Sequence, residues 1–376
     1  MSLLEDNVVI VVFLSTFSQN KVKPLITNIK KILKIENQKI HKIRRDGDVI
    51  IVETSDPVFT SSAINSLFGI KGVAIAKQVT NNFNTIVNSI SKVGADIFLE
   101  SERFLIQVEG YAKGFMTKDV EVTATSSLIE KTAGKGIKPG TDEKYDRRLY
   151  TYLTKSHAYI CIYYDKGLGG IPNNSQNKNM VCCVFDELSA VSCLETIKQG
   201  FEVKIIICYV KESELLHLVK MVNQLIRRLV KPQINLEFYK ISIDKKLTSL
   251  LQAEIIINLL TKIALSNHIK RISLSLSPLI YPTDFLENMV KRVYNNNLVP
   301  YLPLSGLDDD ILVSAKEIGL EKYLSKIEKI GKSKFDSSKQ SLRKIEKITE
   351  LSITARKAIL IKIGLNNVHD ILDEIR

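Results

Sequence analysis

Residues 167–172 read Gly-Leu-Gly-Gly-Ile-Pro, and Ser175, Gln176 and Lys178 follow in a polar stretch. Next come an apolar run over 180–184 and then Phe185-Asp186-Glu187-Leu188-Ser189. A Gly-rich connection, a short strand, a tight turn and a helix form the layout that offers backbone N–H groups to a phosphate. The turn itself does not carry the matching chemistry. Phe185, Asp186 and Glu187 stand where glycines would let the backbone approach an anion. Carboxylates in the first turn of a helix have a simple structural use, since they complement its dipole.

The other chemistry-bearing residues are basic. Lys42, Arg44 and Arg45 flank an Asp-Gly-Asp turn, and Lys135, Lys138, Lys144, Arg147 and Arg148 fall in a polar stretch over 133–148. Such groups contact phosphates as point charges or, for arginine, as forks. A solvated loop is the competing reading. Tyr145 and Tyr150 offer faces for unpaired bases, or pack beneath the loop.

The five cysteines, Cys161, Cys182, Cys183, Cys193 and Cys208, form no C-x-x-C pair and no zinc spacing. They read as small core hydrophobes of a chain kept in a reducing cytoplasm. The five histidines are scattered, with no neighbouring carboxylate that implies a dyad. No metal site is expected. No Walker A, G-x-S-x-G or H-E-x-x-H motif occurs.

The net charge of +12 suggests a polyanionic partner or a lysine-rich solvated surface. The last 46 residues hold 10 Lys and Arg against 6 Asp and Glu, the densest net charge in the chain. The start carries no positive region before an apolar core, so no signal peptide is expected. No apolar run approaches the ~20 residues of a membrane helix.

The elements that must position these residues follow from periodicity. Strands are expected at 8–14, 42–45, 49–53 and 73–78, with helices at 20–33 and 61–68. This is the split order of a ferredoxin-like unit. A second small α/β unit follows, with helices at 83–93 and 120–132 and strands at 104–108, 150–153 and 158–164. Beyond the Gly-rich connection the alternation becomes regular. Strands near 180–184, 203–209, 234–241, 271–276 and 299–303 interleave with helices near 188–199, 212–229, 247–265, 284–295 and 309–318. Apolar strands without alternation are buried on both faces, so this part reads as a doubly wound parallel sheet. Residues 331–341 read as a linker, and 342–376 as short helices broken at Gly364. That last segment faintly resembles a helix-hairpin-helix module, with a helical cap as the favoured reading.

The order of these pieces resembles the tRNA 4-thiouridine sulfurtransferase family, also called thiamine-biosynthesis sulfurtransferases. The best local match is Gly167 to Pro172 with Ser175, Gln176 and Lys178. Asn28-Ile29-Lys30-Lys31-Ile32-Leu33 resembles the first helix of that family, and Ile70-Lys71-Gly72-Val73 resembles a turn in its N-terminal domain. Leu286-Glu287-Asn288, the run from Leu302 to Asp308 and Ala315-Lys316-Glu317-Ile318-Gly319 resemble the end of its catalytic domain. The resemblance implies an N-terminal ferredoxin-like domain over 1–78 and a THUMP-like RNA-binding domain over 79–166. It further implies a linker over 167–179, a PP-loop ATPase-like domain over 180–330 and a basic linker with helical tail over 331–376.

The family's nucleotide loop reads S-G-G-x-D-S. Aligned here it becomes Val184-Phe185-Asp186-Glu187-Leu188-Ser189, and only the final serine remains. At an effective dielectric near 20, each carboxylate about 5 Å from a phosphate charge costs roughly 3 kcal/mol. The family also passes sulfur through a late cysteine, and this chain has none after Cys208. The expectation is therefore a cytoplasmic protein that binds tRNA or another structured RNA, with no catalytic residue and no cofactor. Two alternatives stand beside it. One is an active ATP- and Mg-dependent tRNA sulfurtransferase with a rearranged site. The other is a non-catalytic scaffold of an RNA-modification complex, with a protein partner or as a homodimer.

Overall fold

The structure is a computed structural model that describes residues 7–112, 114–242, 249–306, 309–320, 342–364 and 366–375. The chain divides into two compact units, Met1–Pro172 and Asn173–Arg376.

The first unit is built on one eight-stranded sheet, in the order β2-β3-β1-β4-β8-β7-β5-β6. Its strands are β1 (Val8–Leu14), β2 (Ile40–Asp46), β3 (Val49–Thr54), β4 (Ile70–Thr80), β5 (Arg103–Gly110), β6 (Lys138–Pro139), β7 (Arg147–Leu153) and β8 (His157–Gly169). The run Val-Val-Ile-Val-Val-Phe-Leu makes β1 a central strand, and it pairs antiparallel with both β3 and β4. Helix α1 (Val22–Ile35) buries Leu25, Ile29, Ile32 and Leu33, one stripe at helical spacing. Helix α2 (Pro57–Asn65) begins four residues before the expected start. Asp56 caps it by accepting from the Phe59 N–H, and Pro57 supplies a preset φ at the first helical position. Helices α3 (Phe83–Ile97) and α4 (Thr117–Lys131) cover β5, β7 and β8 around Ile90, Phe98, Phe104, Leu128 and Ile160.

Three expectations change here. The division expected at 78/79 falls inside a continuous sheet, because β4 pairs with β8 along its whole length. Gly167 to Gly169 of the expected linker belong to β8. Gly72 sits in a strand rather than a turn, at a register shift of β4. A Cβ there would lie 2.2 Å from the Tyr164 hydroxyl, so only glycine lets that ring cross the strand.

The sheet coils strongly. In strand order β4 and β8 separate β1 from β7, which in a flat sheet means about 14 Å. Yet the Phe13 ring on β1 lies 5.8 Å from Tyr150 and 5.3 Å from Tyr152, both on β7. The tip of the β2–β3 hairpin reaches the β7–β8 turn in the same way. Asp46 Oδ2 accepts from Tyr159 OH at 2.5 Å, Thr154 Oγ1 at 2.9 Å and His157 Nδ1 at 3.0 Å. Arg44 flanks this node at 3.5 Å from the same oxygen.

The second unit holds a six-stranded sheet in the order β13-β12-β9-β10-β11-β14. Strands β9 (Asn179–Val184), β10 (Glu202–Tyr209), β11 (Gln233–Lys240), β12 (Arg271–Ser273) and β13 (Val299–Tyr301) are parallel. Helices α5 (Glu187–Lys198), α6 (Leu215–Ile226), α7 (Ser249–Ser266), α8 (Thr283–Asn295) and α9 (Asp309–Glu317) alternate with them. This is the doubly wound mixed α/β arrangement expected from the sequence.

The C-terminal segment differs from the expected run of short helices. It forms α10 (Leu342–Thr354), a strand β14 (Lys357–Lys362) and α11 (Val368–Ile375). Strand β14 pairs antiparallel with β11 and closes that edge of the sheet. The reason is local: Ile359 and Ile361 are buried while Ala358, Leu360 and Lys362 are exposed, a period of two. Glu237 of β11 secures the join, accepting from Lys204 at 2.7 Å and Tyr239 at 2.6 Å, with Arg356 at 3.1 Å. The expected linker over 331–341 lies outside the described residues, as do Leu307 and Asp308. Among the described residues no helix is long and apolar enough to cross a membrane.

The Asp46 node makes the first unit sensitive to acid. Burial pushes the Asp46 carboxyl up, but the bonds from Tyr159, Thr154 and His157 outweigh it and hold it below 3.8. A depressed carboxylate stabilises the fold fully above its ordinary value and loses that contribution as pH falls through the folded value. Asp46→Asn is therefore expected to lower Tm by about 3–6 °C at pH 7. Thermal melts at stepped pH should show the gap to the parent protein closing towards pH 3. A gap that stays constant with pH would remove the node from this role.

Candidate functional site

The order of the second sheet creates a switch point. Strand β9 has β10 on one side and β12 on the other, so the connections leaving the C-terminal ends of β9 and β12 diverge. In doubly wound sheets this crevice is where ligands sit. The residues that follow β9 are Phe185 and Asp186, and α5 starts at Glu187.

The turn is closed by its own side chains. Ser189 Oγ accepts from the N–H groups of Phe185 at 2.8 Å and Asp186 at 2.9 Å. Asp186 Oδ1 accepts from the Ser189 N–H at 2.8 Å, and the Ser189 hydroxyl donates to Asp186 O. This is a capping box in which the usual Glu or Gln is replaced by Ser. It satisfies three amides at the helix start, those of Phe185, Asp186 and Ser189. Ser189 is fully buried.

The flanking residues close the crevice further. Glu187 is 4% exposed, and its carboxylate lies 3.3 Å from His217 Nε2 on α6. Phe185 packs with Cys183, Ile256, Leu260, Leu274 and Leu276 around a void of about 10 Å³. That is at the lower limit for one water molecule. Tyr281, on the segment after β12, is buried, and burial, with Asp186 nearby, pushes its hydroxyl up.

The cysteines sit in the core. Cys193 on α5 shares a hydrogen bond with Cys182, and this, with burial, pushes its thiol up. Burial and a hydrogen bond with Cys208 push Cys183 up, and burial pushes Cys161 up. The vicinal pair thus faces two directions, Cys182 towards α5 and Cys183 towards Cys208. Protonated, buried thiols are poor nucleophiles. Among the described residues no group of three or more His, Cys, Asp and Glu side chains is placed to hold a metal ion.

The eight basic residues singled out from sequence separate by role. Arg44 belongs to the Asp46 node and donates to Gln78 at 2.7 Å. Arg45 folds back on Gly47 O and Asp48. Lys135 donates to Ala95 O and Arg147 to Ile97 O, so both satisfy carbonyls at the C-terminal end of α3. Arg147 also pairs with Glu102 at 3.3 Å. Arg148 donates to Gln107 and lies over the Tyr150 ring. Arg147 and Arg148 are strand residues of β7, not loop residues, because parallel pairing with β5 starts at Phe104 and Arg147. Tyr150 donates to Glu109 and packs against Phe13 and Tyr164. Lys42, Lys138 and Lys144 are exposed, and their side chains bond to no described residue.

Sequence reasoning found the turn but missed its partner His217, which lies 30 residues away from Glu187. It also missed Tyr281, whose only signal was an aromatic residue between Ile280 and Pro282.

No family model matches the chain. It is 23% identical over 188 residues to a probable tRNA sulfurtransferase of Methanosarcina mazei, covering 50% of this chain and 46% of that protein. It is 25% identical over 313 residues to a probable tRNA sulfurtransferase of Thermococcus kodakarensis, covering 78% and 81%. The match spans about half the length of the Methanosarcina mazei protein, against most of the Thermococcus protein. Among solved structures, a Pyrococcus horikoshii protein superposes with a TM-score of 0.61 at 19% identity, over 83% of this chain and all of that one. A 4-thiouridine synthetase, solved with RNA and bound ATP, gives 0.64 at 14% identity, over 95% and 100%. The chain thus resembles the tRNA 4-thiouridine sulfurtransferase family in sequence, at low identity, and shares its fold.

The capping box predicts a stability effect at the turn. Ser189→Ala leaves the part-buried N–H groups of Phe185 and Asp186 without their acceptor and is expected to cost roughly 2 kcal/mol. Urea unfolding followed by circular dichroism would show a lower midpoint with an unchanged slope. A midpoint equal to the parent's would mean that these amides find another partner.

Proposed function

We propose that this protein binds RNA, with tRNA as the first candidate, in the cytoplasm, and does not carry out ATP-dependent sulfur transfer. The observation that carries the second half is the capping box of Asp186 and Ser189. The N–H groups of Phe185, Asp186 and Ser189, at the helix start where an ATP pyrophosphate would lie, each already have a partner. It would also face the Asp186 carboxylate, with Glu187 one residue on. The residues present do not fit a nucleoside triphosphate, and no catalytic step is derived through one. Sulfur relay fares no better, since all five cysteines are buried, the thiols of Cys161, Cys183 and Cys193 are pushed up, and no cysteine follows Cys208.

The RNA half rests on the fold shared with a synthetase solved on RNA, and on the exposed lysines of the first unit. Lys42, Lys138 and Lys144 are the contacts proposed for phosphate, because their charges are not spent on the fold. Arg44, Lys135 and Arg147 are instead engaged in holding the fold.

Filter binding of unmodified tRNA across 50–300 mM salt and calorimetric titration with ATP-Mg test both halves. Expected are a tRNA affinity that falls steeply with salt and no ATP binding below millimolar concentration. Lys42→Glu, Lys138→Glu and Lys144→Glu together should lower tRNA affinity roughly tenfold or more. Micromolar ATP binding, or sulfur appearing in tRNA treated with the purified protein, would restore the active sulfurtransferase reading. Absence of tRNA binding at low salt would leave the scaffold reading.

A further inference from the structure

The second unit carries a cavity of about 500 Å³ on the outer side of α6, well apart in sequence from the β9–α5 turn. His217, Lys220, Gln224 and Arg227 line it at helical spacing, one stripe of α6 and its C-cap. Met221, Ile318 and Val368 contribute an apolar floor, and the Asn366 amide stands at the rim. Among the described residues that line it there is no carboxylate. Glu187 lies behind His217, buried, and Glu317 next to Ile318 acts on Arg228 instead.

Some cations of the same unit are neutralised locally, while the side chains of others, such as Lys211 and Lys270, bond to no described residue, as that of Lys220 does. Lys231, Lys240, Lys291 and Arg292 each face a carboxylate within 2.8 Å. Lys220 bonds to no described residue. Arg227 makes one long contact, 3.5 Å to Gln224 Oε1. Arg227 ends α6, where a cation favours the helix dipole, but Lys220 in mid-helix has no such use. Two cations on one wall of a concave, half-apolar cavity leave a negative charge to be supplied from outside.

We propose that this groove is a binding site for a phosphate-bearing small molecule of mononucleotide size. The phosphate meets Lys220 and Arg227, and a flat, weakly polar body rests on Met221, Ile318 and Val368 with its polar edge at Gln224 and Asn366. A volume of 500 Å³ lies within the range of small-molecule sites. The site uses neither the amides of the β9–α5 turn nor the lysines of the first unit, and among the described residues it meets that turn only through His217.

The test is calorimetric titration of the full chain with AMP and, separately, with inorganic phosphate, at 50 mM salt. AMP is expected to bind, and inorganic phosphate to bind more weakly because it leaves the apolar floor bare. Lys220→Ala with Arg227→Ala, both exposed positions, should weaken AMP roughly tenfold or more. Lys291→Ala on α8 should leave it unchanged. Absence of AMP binding overturns the proposal, and so does phosphate binding as tightly as AMP. AMP binding that survives the double variant but is lost in Phe185→Ala places the ligand at the switch point and overturns both this site and the closed turn. Loss of tRNA affinity in the double variant, without AMP binding, makes the groove an RNA contact and overturns the small-ligand assignment.

Discussion

One hydroxyl decides what the switch point can do. Ser189 Oγ holds the amides of Phe185 and Asp186, and Asp186 returns the favour to the Ser189 amide. Backbone N–H groups at a helix start are obligatory donors that must find an acceptor. In a phosphate-binding turn the acceptor is the ligand, and glycines keep the approach open. In this turn the acceptors of three amides are tethered to the chain, so an anion would compete for them only by breaking the cap. Phe185 and Tyr281 occupy the space around it, and His217 provides a partner that lets Glu187 stay buried.

The first unit shows the same economy with charge. Coiling brings the β2 hairpin onto the β7–β8 turn, and the Asp46 carboxylate collects three donors there. Part of the basic surface is consumed in holding that shape. Arg44 guards the node, while Lys135 and Arg147 terminate α3. A count of positive residues therefore overstates the charge free for a partner. Of the eight basic residues singled out from sequence, Lys42, Lys138 and Lys144 lie where neither a carboxylate nor a helix end has claimed them.

Local pattern carried most of the fold. The parallel strands of the second unit are continuous apolar runs, and their helices alternate so regularly that each was placed within a few residues. Helix α2 was displaced because its apolar spacing is weak and its start is set by Asp56 and Pro57. Strand β14 reads as helix in the sequence because six residues between two helices offer too short a window for period two to stand out. The partnerships at the site were illegible for another reason. The Glu187–His217 contact, the Asp46 node and the Phe13–Tyr152 contact join residues 30 to 139 positions apart, and only the coiling and layering of the sheets bring them together.

The substitutions that read in sequence as lost chemistry are, in structure, a solution to a stability problem. A turn that opens a helix with empty amides and an empty crevice is stable only while a ligand fills both. A chain that no longer meets that ligand must supply acceptors for the N–H groups and apolar bulk for the space. Asp186 and Ser189 provide the first, and Phe185 the second. Restoring single glycines at this turn removes a cap or opens a void without rebuilding the cradle, because the approach remains blocked by the other residues. The closed turn is therefore a coupled unit, in which the same groups cap the helix and fill the space beside it.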